Sequence, residues 1–110
     1  MKISNINYVN LTPHNISLVL DDGIHEIPSE GIARAEEEKT LIKTLPGGIP
    51  IYKIRYGNVS GVPEPAENTY YVVSKIVADA LIGRDDILIV TQTIRNEKGQ
   101  IIGCMGFASL

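Results

Sequence analysis

The 110 residues carry 13 acidic and 10 basic side chains, a net charge of −3 without a lysine-arginine cluster, which excludes the electrostatic footprint of a nucleic-acid binder. At 44% hydrophobic and 21% charged residues, the composition is that of one folded domain (residues 1–110) rather than a disordered chain or a two-domain enzyme. No apolar run approaches the ~18 residues of a membrane-spanning helix; the first residues lack a signal-peptide block and the single cysteine, Cys104, excludes an internal disulfide, so the expectation is a cytosolic protein.

Taken in order, Ile6 to Leu11 reads as a first strand interrupted by Thr12-Pro13, because proline has no amide to give a ladder. Ile16 to Leu20 alternates as a second strand, and Asp21-Asp22-Gly23 supplies a tight turn into a returning strand at Ile24 to Ile27. From Ile32 to Leu45 the signals conflict. The reading is a strand at Ile32 to Ala35, an exposed acidic turn at Glu36-Glu37-Glu38, and a strand at Thr40 to Thr44. After the turn at Pro46-Gly47-Gly48, Tyr52, Ile54 and Tyr56 alternate with Lys53 and Arg55, the pattern of a sheet with one dry and one wet face.

A glycine- and proline-rich connection from Gly57 to Asn68 leads into Tyr70-Tyr71-Val72-Val73, four bulky residues that suit a strand buried on both faces. There the period changes. Ile76, Val77, Ala80 and Leu81 recur at helical spacing, with Ser74 placed to cap the helix start and Gly83 to end it. Ile87 to Arg95 and Gln100 to Ala108 close the chain as a hairpin turning at Asn96-Glu97-Lys98-Gly99, with Cys104 buried and inert in its apolar strand. The expected fold class is α+β: a mostly antiparallel β-sheet, partly closed or a barrel, packed with one α-helix.

Motifs for chemistry are thin. His14, His25 and Cys104 lack metal-ligand spacing, so neither a metal nor another cofactor is expected. His14-Asn15-Ile16 and His25-Glu26-Ile27 do not spell the paired histidine motifs of two-histidine phosphodiesterases. Tyr71 and Lys75 stand four apart as in short-chain dehydrogenases, but without a dinucleotide-binding turn before them. Gly47-Gly48 lacks the lysine and serine of a phosphate loop. Two arginines stand out: Arg55-Tyr56 before the long loop and Arg95-Asn96 at the last hairpin, with Tyr70 and Tyr71 between them in sequence. Guanidinium forks bind phosphates and tyrosine rings offer faces to a purine, so these residues could frame a nucleotide-sized pocket. The alternative is that they are solvated strand-edge charges and core tyrosines with wet hydroxyls.

The blocks Val9-Asn10-Leu11-Thr12-Pro13-His14-Asn15-Ile16, Ile27-Pro28-Ser29-Glu30-Gly31, Arg55 to Pro63, Tyr71-Val72-Val73-Ser74 and Ile94 to Gly103 resemble the successive blocks of a family of small bacteriophage and bacterial proteins. In size and charge the chain is also similar to the Thoeris anti-defence sponges, which bind cyclic ADP-ribose signals made by host TIR enzymes. That resemblance implies a homo-oligomeric protein of the host cytosol that sequesters a small nucleotide signal without chemistry, with no nucleic-acid or membrane partner. It implies that Arg55 and Arg95 hold a pyrophosphate, Tyr56 or Tyr70 stacks on adenine, and Asn96 or Thr93 reads an edge. Two other classes remain: an enzyme cleaving such a signal with His14 as general base oriented by Asp21 or Asp22, and an inhibitor or virion protein gripping a host protein through Glu36-Glu37-Glu38 or the long loop.

Overall fold

A computed structural model describes residues 1–110. Nine strands and one helix follow in the order β1 (Lys2–Ile3), β2 (Ile6–Asn10), β3 (Ile16–Leu20), β4 (Gly23–Ile27), β5 (Arg34–Leu45), β6 (Ile49–Ser60), β7 (Thr69–Val72), α1 (Lys75–Ala80), β8 (Ile87–Arg95) and β9 (Ile101–Ala108). Seven strands form one sheet, ordered β1-β2-β7-β8-β9-β3-β4, while β5 and β6 pair only with each other. The expected α+β class holds in its coarse form, a mostly β chain with one short helix and a sheet curled into a half-barrel.

The main sheet is evenly mixed rather than mostly antiparallel. β2-β7, β7-β8 and β3-β9 run parallel, whereas β1-β2, β8-β9 and β3-β4 run antiparallel. Parallel neighbours are joined through distant connections, and local alternation carries no record of which strand lies alongside.

Strand β7 lies between two parallel neighbours and is buried on both faces, because its bulky residues meet two separate cores. Tyr71 and Val73 join Leu11, Ala33, Val77, Ala78 and Ile87 under the helix. Val72, fully buried, points the other way into the half-barrel with Ile16, Leu18, Ile27 and Cys104. Ser74 caps α1 by accepting from the Val77 amide at 3.4 Å. The buried stripe is Val77 and Ala78 with half-buried Leu81, so Ile76 and Ala80, expected inside, face outward.

The open side of the half-barrel is bridged at one end. Asn10 and Leu11 have a free edge where β1 no longer pairs, and their carbonyls accept from the amides of Glu30 (2.8 Å) and Ala33 (3.0 Å). Asn10 fastens this seam from inside. Its side chain is fully buried, with Nδ2 donating to the carbonyls of His14 (2.8 Å) and Ile27 (2.9 Å) and Oδ1 accepting from the amide (3.0 Å) and hydroxyl (2.7 Å) of Thr12. The Asn10-Leu11-Thr12-Pro13-His14 block is therefore a latch that folds the chain out of β2 and into β3. Ser29 adds an exposed clasp, its hydroxyl donating to the Thr12 carbonyl at 2.6 Å.

A second fastening holds the long connection. Arg84 pairs with Asp86 at 2.6 Å, donates to the Pro63 carbonyl at 3.1 Å, and lies over the Tyr71 ring, whose hydroxyl donates to the Glu64 carbonyl. The guanidinium holds the Asp86 carboxyl below its ordinary range, and the carboxylate raises Arg84 in return.

β5 and β6 are one uninterrupted hairpin of 12 residues a side, so the acidic turn expected at Glu36-Glu37-Glu38 is strand instead. Apart from Ala35 and Val59, which pack on the core under α1, both strands are exposed along almost their whole length, and charged side chains suit the stretch that packs against nothing. At roughly 3.4 Å per residue the arm is ~40 Å long. Its projection gives a radius of gyration of 17.0 Å, against ~13 Å for a compact chain of this length.

Candidate functional site

The loop Thr12 to Asn15 leaves the carboxyl end of β2, and Val73-Ser74-Lys75 leaves the carboxyl end of β7. These two exits meet the β8-β9 hairpin around a groove of about 900 Å³. Its far wall comes from Ile16 and Ser17 on β3 and from Gly99 to Cys104. β3 and β9 pair at the register position Leu18↔Cys104. A Cβ on Gly103 would stand 3.0 Å from the Ser17 carbonyl oxygen, which is how the two strands approach so closely at the groove floor.

Ile16, Val73, Ile89, Val90, Ile101 and Ile102 are the aliphatic residues of the lining, among polar neighbours such as Thr12, Ser17, Thr93 and Gln100. The charges there are Lys75 and Arg95, and neither aspartate nor glutamate lines the groove. Arg95 is held by the turn beneath it, its guanidinium donating to the Gly99 carbonyl at 2.7 Å. Asn96 ties the same turn: Oδ1 accepts from the amides of Lys98 (2.9 Å) and Gln100 (3.0 Å), and Nδ2 donates to the Gln100 side chain. One of the five guanidinium donors is thus used for positioning, leaving the others for a ligand. Lys75 sits on the first turn of α1 and pairs with Asp79 at 3.1 Å in an exposed i,i+4 contact, which constrains its ammonium only weakly.

The residues singled out in the sequence divide among three places. Thr93 and Arg95 line the groove, and Asn96 braces the turn behind Arg95. Tyr70 lies on β7 and stacks against Tyr8, with ring centroids 6.1 Å apart. Arg55 and Tyr56 stand on the projecting arm, paired in register with Glu38 and Glu37, and do not line the groove. Apolar contact surface in the groove comes from isoleucine and valine rather than tyrosine.

Lys75 was visible in sequence only as half of a tyrosine-lysine pair. The signal that finds it is its place directly after Ser74, where a central strand hands over to a helix. His14 also lines the groove. Asp22, one of the carboxylates considered as its orienting partner, contacts His25 Nε2 at 2.8 Å across the β3-β4 turn, and that contact lowers the Asp22 carboxyl. Cys104 is buried at the floor, and burial pushes its thiol up, away from the reactive thiolate.

The chain matches no protein-family model, no curated protein and no solved structure.

Proposed function

We propose that the protein is a binding protein that holds a small anionic, nucleotide-derived ligand in the groove between the β2 and β7 exits and the β8-β9 hairpin. The observation that carries this reading is electrostatic: a chain with a net charge of −3 lines this groove with Lys75 and Arg95 and with no aspartate or glutamate, the adjoining Asp79 and Glu26 carboxylates being engaged by Lys75 and by the Ser17 hydroxyl. Low-dielectric aliphatic walls strengthen the attraction of those cations for a phosphate, and a guanidinium fork fits phosphate geometry. The volume suits a ligand of nucleotide size, since small-molecule sites commonly span about 300–1,000 Å³. The aliphatic residues of the lining supply contact for a base or ribose ring, and Thr93 and Gln100 supply edge-reading polar groups. In the setting that the sequence resemblance implies, the ligand is a cyclic ADP-ribose signal and the protein a sponge that withholds it from its effector.

Titration calorimetry with ADP-ribose tests this. Binding that weakens by at least tenfold in both Lys75→Ala and Arg95→Ala, is unchanged in Arg55→Ala, and is absent for neutral adenosine supports the reading. Equal binding of adenosine and ADP-ribose, or a loss confined to Arg55→Ala, would refute it. A second reading follows from His14 in the groove wall: cleavage of the same ligand, whose mark is turnover at substoichiometric protein that His14→Ala abolishes.

A further inference from the structure

The outer end of the β5-β6 arm is apolar on both of its faces. Along β6, Tyr52 and Ile54 hold one face while Lys53 and Arg55 hold the other, so the ribbon nearer its root has a dry and a wet side. Toward the tip that division ends. Ile51 and Ile49 take over the face of Lys53, with Ile49 paired to Leu45, while Leu41 stays with Tyr52 on the dry side. Leu41, Tyr52, Ile49 and, at the register shift, Ile42 are 54%, 49%, 55% and 55% exposed. Pro46, Gly47 and Gly48 close the tip without a polar side chain, the Gly48 amide donating to the Leu45 carbonyl at 3.2 Å. Single exposed apolar side chains need no explanation, but a contiguous apolar tip on a ribbon that departs from the body does.

We propose that this tip, Leu41 to Tyr52, inserts into the headgroup region of a bilayer that carries anionic lipids. Geometry selects a medium over a surface, because a flat partner covers one face of a ribbon whereas lipid surrounds both. Charge selects the kind of lipid. Nearer the root, Glu37 is ion-paired with Lys39 at 3.8 Å and Glu38 stands directly opposite Arg55. Outward of these pairs, from Thr40 to Ile54, the only charged residues are Lys43 and Lys53. Their long stems let the ammonium groups stay among lipid phosphates while the apolar side chains sink, and the Tyr52 ring suits the same boundary. The acidic body does not oppose the approach, since an arm ~40 Å long holds it several Debye lengths from the surface. A nucleic acid offers the same negative charge without an apolar medium for leucine and isoleucine. Insertion is shallow, because the outward N–H and C=O groups of a two-stranded ribbon need water or headgroups as partners. A membrane partner departs from what the sequence resemblance implies, and it is independent of the groove, which no arm residue lines.

Flotation of the full chain with lipid vesicles tests the assignment. The wild type should float with vesicles of equimolar phosphatidylcholine and phosphatidylglycerol. Lys43→Gln with Lys53→Gln should weaken the partition by about 30-fold, the worth of two cations at an anionic surface. Vesicles of phosphatidylcholine alone should weaken wild-type binding at least as far. Ile49→Asp should weaken it by at least about tenfold, since it removes an inserted isoleucine and adds a repelled charge, with an unchanged circular dichroism spectrum. The chain has no tryptophan, so Ile49→Trp places a single reporter at the tip, whose emission should shift to the blue on adding the anionic vesicles. A wild type that floats with neither vesicle, including one retained only by a DNA duplex or another protein, would overturn the inference. So would vesicle binding indifferent to Ile49→Asp, or tip emission that the vesicles leave unchanged. Equal binding to neutral and anionic vesicles would overturn the anionic lipid as the occupant.

Discussion

Replacing Asn10 with alanine removes four hydrogen bonds at once from a fully buried side chain. The His14 carbonyl keeps a bond from the Thr12 hydroxyl at 3.0 Å, so two groups lose most: the Ile27 carbonyl and the Thr12 amide. Each buried polar group left without a partner costs about 1–3 kcal/mol, which puts the loss for the two at about 2–6 kcal/mol. Against a total stability of about 5–15 kcal/mol this is a large fraction. At roughly 4–8 °C per kcal/mol the midpoint of thermal unfolding should fall by ~10–50 °C. Urea denaturation followed by circular dichroism measures it, with Asn15→Ala as the comparison, because its exposed 3.2 Å bond to the Ser29 amide is worth about 1 kcal/mol at most. Asn10→Asp keeps the shape but turns two donors into acceptors facing two carbonyls, so it should be no milder than alanine. A loss below about 1 kcal/mol in Asn10→Ala would refute the latch, since no seam held by these four bonds could tolerate their removal so cheaply.

Other outcomes follow from the same geometry. Asp86 has its carboxyl lowered in the folded chain by the Arg84 hydrogen bond, so its contribution is present above the unfolded carboxylate range and is lost as pH falls through the depressed folded value; Asp86→Asn should flatten the acid limb of a stability-pH curve. Arg84→Ala leaves Asp86, whose side chain is 10% exposed, without its partner and should cost about 3 kcal/mol by chemical denaturation. Gly61 has φ +85°, and a Cβ there would stand 2.8 Å from the Ile32 carbonyl oxygen. Gly61→Ala combines left-handed strain with a backbone clash and should lose about 2–4 kcal/mol, read as a lower urea midpoint at unchanged slope.

Much of the fold is written locally, and what is not has a physical reason. The change of period at Ser74 marks the end of β7 and the start of α1, because a strand buried on both faces and a capped helix leave different spacings. The alternation of Tyr52, Ile54 and Tyr56 with Lys53 and Arg55 correctly marks a strand with a dry and a wet face; it cannot say that the dry face finds no cover within its own chain. Glu36-Glu37-Glu38 reads as a turn because charged residues are depleted in strands that pack against a core, and beyond Ala35 this strand packs against none. The turn Ser4-Asn5, with φ of 50° and 68°, carries no glycine and so hides the hairpin of β1 and β2. Of the groove, Thr93 and Arg95 were legible as polar residues at a strand end. Lys75 and His14 join them only through the parallel alignment of β2 and β7, which no local pattern encodes.

The central claim is that the groove retains an anionic nucleotide ligand unchanged. Native mass spectrometry of the protein after incubation with cyclic ADP-ribose, followed by heat release and mass analysis of what is released, tests it most directly. The account predicts an adduct at one ligand per chain, missing in Lys75→Ala/Arg95→Ala, that yields cyclic ADP-ribose of unaltered mass. A released product of different mass would make the protein an enzyme, and an adduct that survives the double substitution would place the ligand outside this groove.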